Sequence, residues 1–255
     1  MTLVQPDLSS GPQSVDRALQ VLELLADWGS GGVSEVATAI GVHKSTAFRL
    51  LGALEARELV EQTTDRKYRL GFGLLRLARR VNVELELTDQ ARPITEELAK
   101  SLGESINVAV LREHYVVNVV QSRGEASVSS QNWIGQLTPL HATSSGKVLL
   151  AHLEPDRRGA LVARGLDAYT AHTLVDPAAL EKELIQVVER GHATTFGELE
   201  IGLNAVAVPV RGEDGRVMAA LSASGPSYRL SRERIDEAVE QLAAAAVELS
   251  RRLGY

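Results

Sequence analysis

Lys44, Ser45, Thr46, Arg49 and Gly52 have types and spacing that suggest chemistry, because a helix turning about 100° per residue sets them along one side. That chemistry is the reading of duplex nucleic acid. Hydroxyls and an early helix N-terminus meet phosphate oxygens, an arginine spans a guanine edge with two parallel bonds, and a glycine lets the helix lie close to the sugar-phosphate wall. Ala47, Leu50, Leu51 and Leu54 fall on the other side and would pack inward. Phe48 lies near the polar side. Its plain reading is a lid over the domain core, and the alternative is contact with a thymine methyl.

A second constellation is Thr143-Ser144-Ser145-Gly146, which begins a helix. Several N–H groups there lack intrahelical partners and the positive end of the helix dipole points outward, which makes an anion hole. Gly146-Lys147 is not a nucleotide loop: the first glycine is missing and no Ser or Thr follows the lysine. The rival is a hydrolase-like enzyme using His141 as base and Ser144 or Ser145 as nucleophile, with Asp156 or Asp167 to orient the imidazole. The serines lack a nucleophile-elbow pattern and no acid is placed by sequence, so no catalytic residue is assigned. The six histidines are scattered without the close pairing that zinc favours, so no metal site is assigned either.

The elements that must position these residues follow from periodicity. From Val33 to Leu70 the chain spells two short helices, a tight turn and a charged hairpin, which is how a winged helix-turn-helix reads. Ser34 is expected to cap a helix running to about Ile40, Gly41 to supply the turn, and a second helix to run from about His43 to Ala56. Residues 59–62 and 67–70 flank a polar turn, Thr63-Thr64-Asp65-Arg66, short enough to be a wing tip. The set expected to meet DNA is Ser34, His43, Lys44, Ser45, Thr46 and Arg49, with Arg66 and Lys67 from the wing. Ahead of them Ser14–Trp28 repeats apolar residues at Val15, Ala18, Leu19, Leu22 and Leu25, a first helix that completes a three-helix core. After the wing, Leu74, Leu77, Ala78, Val81 and Leu85 form a stripe on a helix from Leu74 to Leu87, which would rest either on its own domains or, as the expected partner, on the same helix of a second subunit.

From about Thr88 the pattern changes. Asp89–Leu102 reads as helix, Ser105–Leu111 and Tyr115–Gln121 as a strand pair turned at Glu113-His114, and Ser127–Trp133 as a third strand. Helices over 143–153, 156–163 and 176–190 precede strands near 192–196, 205–210 and 217–224, with Glu213-Asp214-Gly215 turning the last hairpin. A long amphipathic helix, Ser231–Leu253, closes the chain. The expected class is α+β with a central antiparallel sheet, divided into a winged helix-turn-helix domain at 10–73, a linker and dimerisation helix at 74–88, and a sensor-like domain at 89–255.

Composition permits this. The 255 residues are 44% hydrophobic and 24% charged, ordinary for a soluble protein. No run approaches the roughly 18 apolar residues of a membrane span, and MTLVQPDLSSGPQ lacks the parts of a signal peptide, so a cytoplasmic location without membrane partners is expected. With no cysteine, disulfides and thiolate chemistry are excluded. The net charge of −6 is uneven: through residue 80 there are ten Lys and Arg against nine Asp and Glu, so the acidity belongs to the second half. DNA can still be held where the few cations stand at phosphates, with marked dependence on salt.

SVDRALQVLELL, KSTAFRLLGALEARELVEQ, YRLG, PLHATSSGKVLLA, GLNAVAVPV and SASGP together closely resemble the IclR family of bacterial transcription regulators over nearly the whole chain. The resemblance implies a winged helix-turn-helix joined by a helix to a GAF-like effector domain, working as a homodimer or a dimer of dimers. It implies repression, or sometimes activation, of catabolic operons, with a small-molecule effector, often a carboxylate or aromatic acid, as the bound group and no other cofactor. It also implies that the Ser144 and Ser145 N–H groups hold a ligand carboxylate, that Thr195, Ser222 and Ser224 line the pocket, and that Leu203 and Ala205 form its apolar wall. The family's glyoxylate- and pyruvate-responsive member has an acid where Thr195 stands and a larger side chain at Ala205, so a roomier, more neutral pocket for a larger effector is implied here. Read without the resemblance, Ser222 and Ser224 alternate as a solvated strand face would, His141 caps or packs, and Trp133 belongs to the core rather than stacking on a ligand.

Overall fold

A computed structural model describes residues 13–78, 82–124 and 132–255 and divides the chain into two compact units, one ending at Asn82 and the other spanning Val83–Tyr255. The N-terminal unit contains α1 (Gln13–Trp28), α2 (Val33–Ala39), α3 (Lys44–Glu55), the hairpin β1 (Val60–Gln62) and β2 (Tyr68–Leu70), and α4 (Gly73–Ala78). Its core is built from Val21 and Leu25 of α1, Val36 and Ala37 of α2, Ala47, Leu51 and Leu54 of α3, and Val60 and Tyr68 of the hairpin. Gly31 and Tyr68 exchange both backbone hydrogen bonds at 2.9 Å, joining the wing to the loop before α2.

Three expectations change here. The buried side of α1 is centred on Val21 and Leu25 with Ala18 and Leu22 beside them, whereas Val15 and Leu19 are exposed; Leu19 points about 100° away from Ala18. The cap of α2 is Gly32, not Ser34. The Gly32 N–H donates to Glu35 Oε2 at 2.7 Å and the Gly32 carbonyl accepts from the Val36 N–H, so the helix starts two residues earlier than a Ser34 cap would give and Ser34 lies exposed within its first turn. The helices expected either side of residue 88 are also not separate, because α5 runs unbroken from Asn82 to Leu102 with Pro93 inside it. In the stripe before it, Leu74 is half-buried and Leu77 exposed, while Val81 and the side chains of Ala78 and Leu85 lie outside the described residues.

The C-terminal unit continues from α5 with β3 (Ser105–Arg112), β4 (Tyr115–Ser122), β5 (Leu137–Thr138), α6 (Ser144–Ala151), α7 (Pro155–Val162), α8 (Pro177–Arg190), β6 (Ala193–Phe196), β7 (Leu203–Arg211), β8 (Val217–Pro226) and α9 (Arg232–Arg252). The sheet is antiparallel in the order β5-β4-β3-β8-β7-β6. β5 was not expected, because two residues are too few to show alternation. The strand expected at Ser127–Trp133 falls mostly outside the described residues, and Asn132 and Trp133 are not in a strand.

The strand pleat sorts side chains between two cores. Ile106, Val108 and Val110 of β3, Val206, Val208 and Val210 of β7 and Ala219, Leu221 and Ala223 of β8 pack under α5 and α9. Their alternates Ala109, Ala207 and Ala220 face α6 and α8. A bulge shifts the β3–β4 register between Val108 and Ala109, so Val120 joins the first core while Asn118 and Val116 turn to the α6 side. Among the described residues no helix is long and apolar enough to cross a membrane.

Candidate nucleic-acid interface and ligand pocket

The side of α3 opposite the core carries Ser45, Arg49 and Gly52, all exposed, with Lys44 exposed and Thr46 half-buried beside them. A Cβ added at Gly52 would meet nothing within 4 Å, so this stretch of helix offers its backbone to whatever approaches. His43 turns back on the helix: its Nδ1 accepts from the Ser45 N–H at 3.3 Å and lies 2.9 Å from Ser45 Oγ. It therefore caps α3 and holds the Ser45 hydroxyl, a cap role that sequence alone gave to no residue here. Phe48 is 59% exposed and is not a lid over the core. At the wing, Arg66 and Lys67 are exposed, and the tip is shaped from within: the Thr63 N–H and hydroxyl both donate to the Lys67 carbonyl, and Arg66 adopts a left-handed φ of +62°. Because the Thr63 hydroxyl also donates to Asp65, that carboxyl is held below its ordinary range and stays ionised.

In the C-terminal unit, a cavity of about 530 Å3, counted to its open mouth, lies between the sheet and the first turn of α6. Ser144, Ser145, Thr195, Leu203, Ala205, Ser222 and Ser224, scattered over 81 positions of sequence, all line it. Thr195, Ala205 and Ser224 are neighbours across three strands, since Thr195 pairs with Ala205 and Ala205 with Ser224. Ser222 is buried, so the alternating serines are not a solvated face.

Sequence reasoning missed Asn107, Asn118, Thr138 and Leu199, which line the same cavity. No short motif marks them, and the two asparagines sit in otherwise apolar strands where a buried amide is itself the only signal. Asn107 Nδ2 donates to Ser224 Oγ at 3.3 Å, while Asn107 Oδ1 is buried without a partner among the described residues. Trp133 also lines the cavity and is half-buried, a correction to its assignment to the core; its main-chain N–H donates to Gln121 Oε1.

The N-terminus of α6 is fixed by its own residues. Thr143 Oγ1 accepts the Gly146 N–H at 3.1 Å and donates to the Pro139 carbonyl at 2.8 Å, and the intrahelical ladder begins with the Lys147 N–H on the Thr143 carbonyl. The Ser144 and Ser145 N–H groups precede that first bond, and both residues line the cavity. Gly146 is required by close approach: a Cβ there would lie 2.2 Å from the Leu140 carbonyl oxygen. One turn on, Lys147 is 1% exposed and its Nζ meets Glu198 Oε1 at 2.7 Å. Burial pushes the Glu198 carboxyl above its ordinary range against the pull of Lys147. Thr170 and Thr173 hydroxyls donate to the Gly197 and Glu198 carbonyls, so the loop that carries Leu199 into the cavity wall is tied on two sides.

His141 does not fit the imagined base. Its ring is buried, Nε2 lies 2.9 Å from the main-chain carbonyl of Asp167, and burial lowers its pKa. Asp156 is exposed in the first turn of α7, so neither acid reaches the imidazole with its carboxylate as a triad would require.

Comparison with known proteins identifies the family of both units. Residues 14–64 match the IclR helix-turn-helix domain, and residues 80–251 match the family described as bacterial transcriptional regulator IclR C-terminal. The chain is 33% identical over 246 residues to the HTH-type transcriptional regulator XynR of Escherichia coli K12, covering 95% of this chain and 98% of that one. It is 32% identical over 253 residues to the HTH-type transcriptional repressor AllR of Salmonella paratyphi A, covering 98% and 93%. Among solved structures, an IclR homologue from Microbacterium hydrocarbonoxydans complexed with 4-hydroxybenzoate is similar with a TM-score of 0.80 and 31% identity, over 94% of this chain and 99% of that one.

Proposed function

Because the chain belongs to the IclR family of bacterial transcription regulators, and is a helix-turn-helix regulator rather than an enzyme, we propose that it represses a catabolic operon and releases its operator when a carboxylate or aromatic acid fills the cavity beside α6. The observation that carries this reading is the convergence of the α6 N-terminus and all six strands of the sheet on one cavity with no charged side chain in its lining among the described residues. An anion enters there against backbone N–H groups and a helix dipole. The repressor name of the AllR relative and the 4-hydroxybenzoate in the Microbacterium homologue support the sign of regulation and the class of effector.

DNA is contacted by Ser34, His43, Lys44, Ser45, Thr46 and Arg49, with Arg66 and Lys67 on the flanking phosphates; the cap role of His43 keeps its side chain at the helix N-terminus where a backbone phosphate would lie. Two copies of the chain, paired through the region 74–88 between a DNA domain at 10–73 and an effector domain at 89–255, present two α3 helices to successive major grooves. Ser144 and Ser145 hold the acid, and Thr195, Leu203, Ala205, Ser222 and Ser224 shape its surroundings. Binding shifts the pair between arrangements with different spacing of the two helices, and a coupling of about 1–3 kcal/mol changes operator affinity about 5- to 150-fold. The work is done in the cytoplasm and needs no cofactor besides the effector.

A gel shift of the chain's own promoter fragment, titrated with a library of organic acids at fixed salt, tests this. One acid releasing the fragment supports the reading. Retention strengthened by the acid makes the protein an activator of the same architecture, and no retarded band in the absence or presence of any acid removes the reading.

A further inference from the structure

We infer that the effector is a monocarboxylate bearing an uncharged hydroxyl, its carboxylate at the Ser144 and Ser145 N–H groups and its hydroxyl on the amide of Asn107. This rests on the reading that the cavity takes an acid. Asn107 is 4% exposed and lines the cavity from β3, yet only one of its two amide atoms is bonded within the described residues: Nδ2 goes to Ser224 Oγ and Oδ1 has no partner. A buried amide oxygen left unpaired is costly, and natural proteins rarely leave one so without a ligand or water to meet it.

The Asn107 surroundings choose the ligand group. Ser222 spends its hydroxyl on the Asn107 main-chain carbonyl, at 3.5 Å, and so does not serve the side chain. The Ser224 hydroxyl can give or take a hydrogen bond, so turning the amide over leaves Nδ2 unpaired in place of Oδ1. A ligand hydroxyl, both donor and acceptor, satisfies either arrangement; a keto or aldehyde oxygen satisfies only one.

Charge restricts the rest of the molecule. The lining contributes amides, hydroxyls and apolar groups, and the cation that α6 does carry, Lys147, has its Nζ on Glu198 and the Thr194 carbonyl. A first carboxylate meets N–H groups at the α6 N-terminus, but a second would enter a largely desolvated site with no counter-charge in its lining among the described residues. The geometry therefore points to one anionic end and one neutral polar end.

The test is calorimetric titration of the full-length protein with matched trios: benzoate, 4-hydroxybenzoate and terephthalate; phenylacetate, mandelate and phenylmalonate; valerate, 5-hydroxyvalerate and glutarate. In at least one trio the hydroxy acid should bind at least about 10-fold more tightly than both companions. Asn107→Leu should erase that advantage, and Asn107→Ser, which keeps a small polar group, should retain part of it; thermal unfolding establishes that each variant is folded. Equal binding of the unsubstituted acid, tighter binding of the diacid, or an advantage unchanged in a folded Asn107→Leu protein overturns the inference while leaving the acid pocket standing. Binding of none of the nine acids overturns both.

Discussion

Lys147 Nζ lies 2.7 Å from Glu198 Oε1 with both side chains buried, joining the first turns of α6 to the loop after β6 that supplies Leu199 to the cavity wall. Removing one partner leaves a buried charge, so Lys147→Met should destabilise the C-terminal unit by about 3–5 kcal/mol, and Lys147→Met with Glu198→Leu should recover most of that loss because an apolar pair fills the space. Denaturant unfolding of the wild type and the two variants measures it. A single substitution costing no more than an exposed one would mean that this pair does not hold the loop.

Arg49 and Phe48 stand exposed on the face of α3 away from the core. Arg49→Ala is expected to weaken operator binding by about 1–3 kcal/mol and to relax specificity at one base position, with folding stability unchanged to within about 0.5 kcal/mol. Phe48→Ala should likewise spare stability, since the ring covers no core, and should lower operator affinity. Footprinting beside thermal unfolding separates the two effects; undiminished protection by Arg49→Ala would contradict the placement of α3 in the groove.

Gly146→Ala should be disproportionately damaging for a single methyl group. The added carbon would fall 2.2 Å from the Leu140 carbonyl oxygen, and backbone cannot move aside as a flexible side chain can. The expected result is a loss of about 1–3 kcal/mol and a displaced α6 N-terminus, read as a lower unfolding temperature and loss of the response to acids.

Ser222→Leu fills the cavity floor from β8. It should leave operator binding in the absence of acid unchanged and abolish release by the effector, because the substitution touches the C-terminal unit alone. Normal release by this variant would place the effector elsewhere.

Burial holds His141 and His152 neutral, pushing both imidazoles below the ordinary value of 6.5, although each has a main-chain carbonyl that favours its charged form. Since the unfolded chain takes up these protons first, their contribution is complete above about pH 6.5 and is lost as pH falls through the depressed folded values. Urea midpoints followed from pH 7.5 to 5 should decline, and the decline should be shallower for His141→Gln. An equal slope in that variant would remove His141 from the account.

Helix-turn-helix, wing, strand pairs and closing helix were legible because each is a local pattern: apolar residues at helical spacing, alternation in strands, and a glycine at φ +65° in the turn, Gly41. Ser144 and Ser145 were marked by the helix start at Thr143 and the other five expected pocket residues by resemblance, and all seven stand together around one cavity. What escaped was set by which groups meet in the folded chain, whether near or distant in sequence. Phe48 looks like a core residue until it is found that no element of its unit covers it, and Ser34 looks like a cap until the carboxylate of Glu35 takes the Gly32 N–H instead.

Alone, the order of residues determined the two classes of element, most of their succession and the polar side of α3, since all of these follow from backbone geometry repeating every two or 3.6 residues. The tertiary structure decided which amides and hydroxyls of β3, β4, β6 and β8 share a cavity with the start of α6. That choice depends on the register between strands and on the bulge at Val108/Ala109, which turns Asn118 to the α6 side, and register is fixed by packing of both sheet faces.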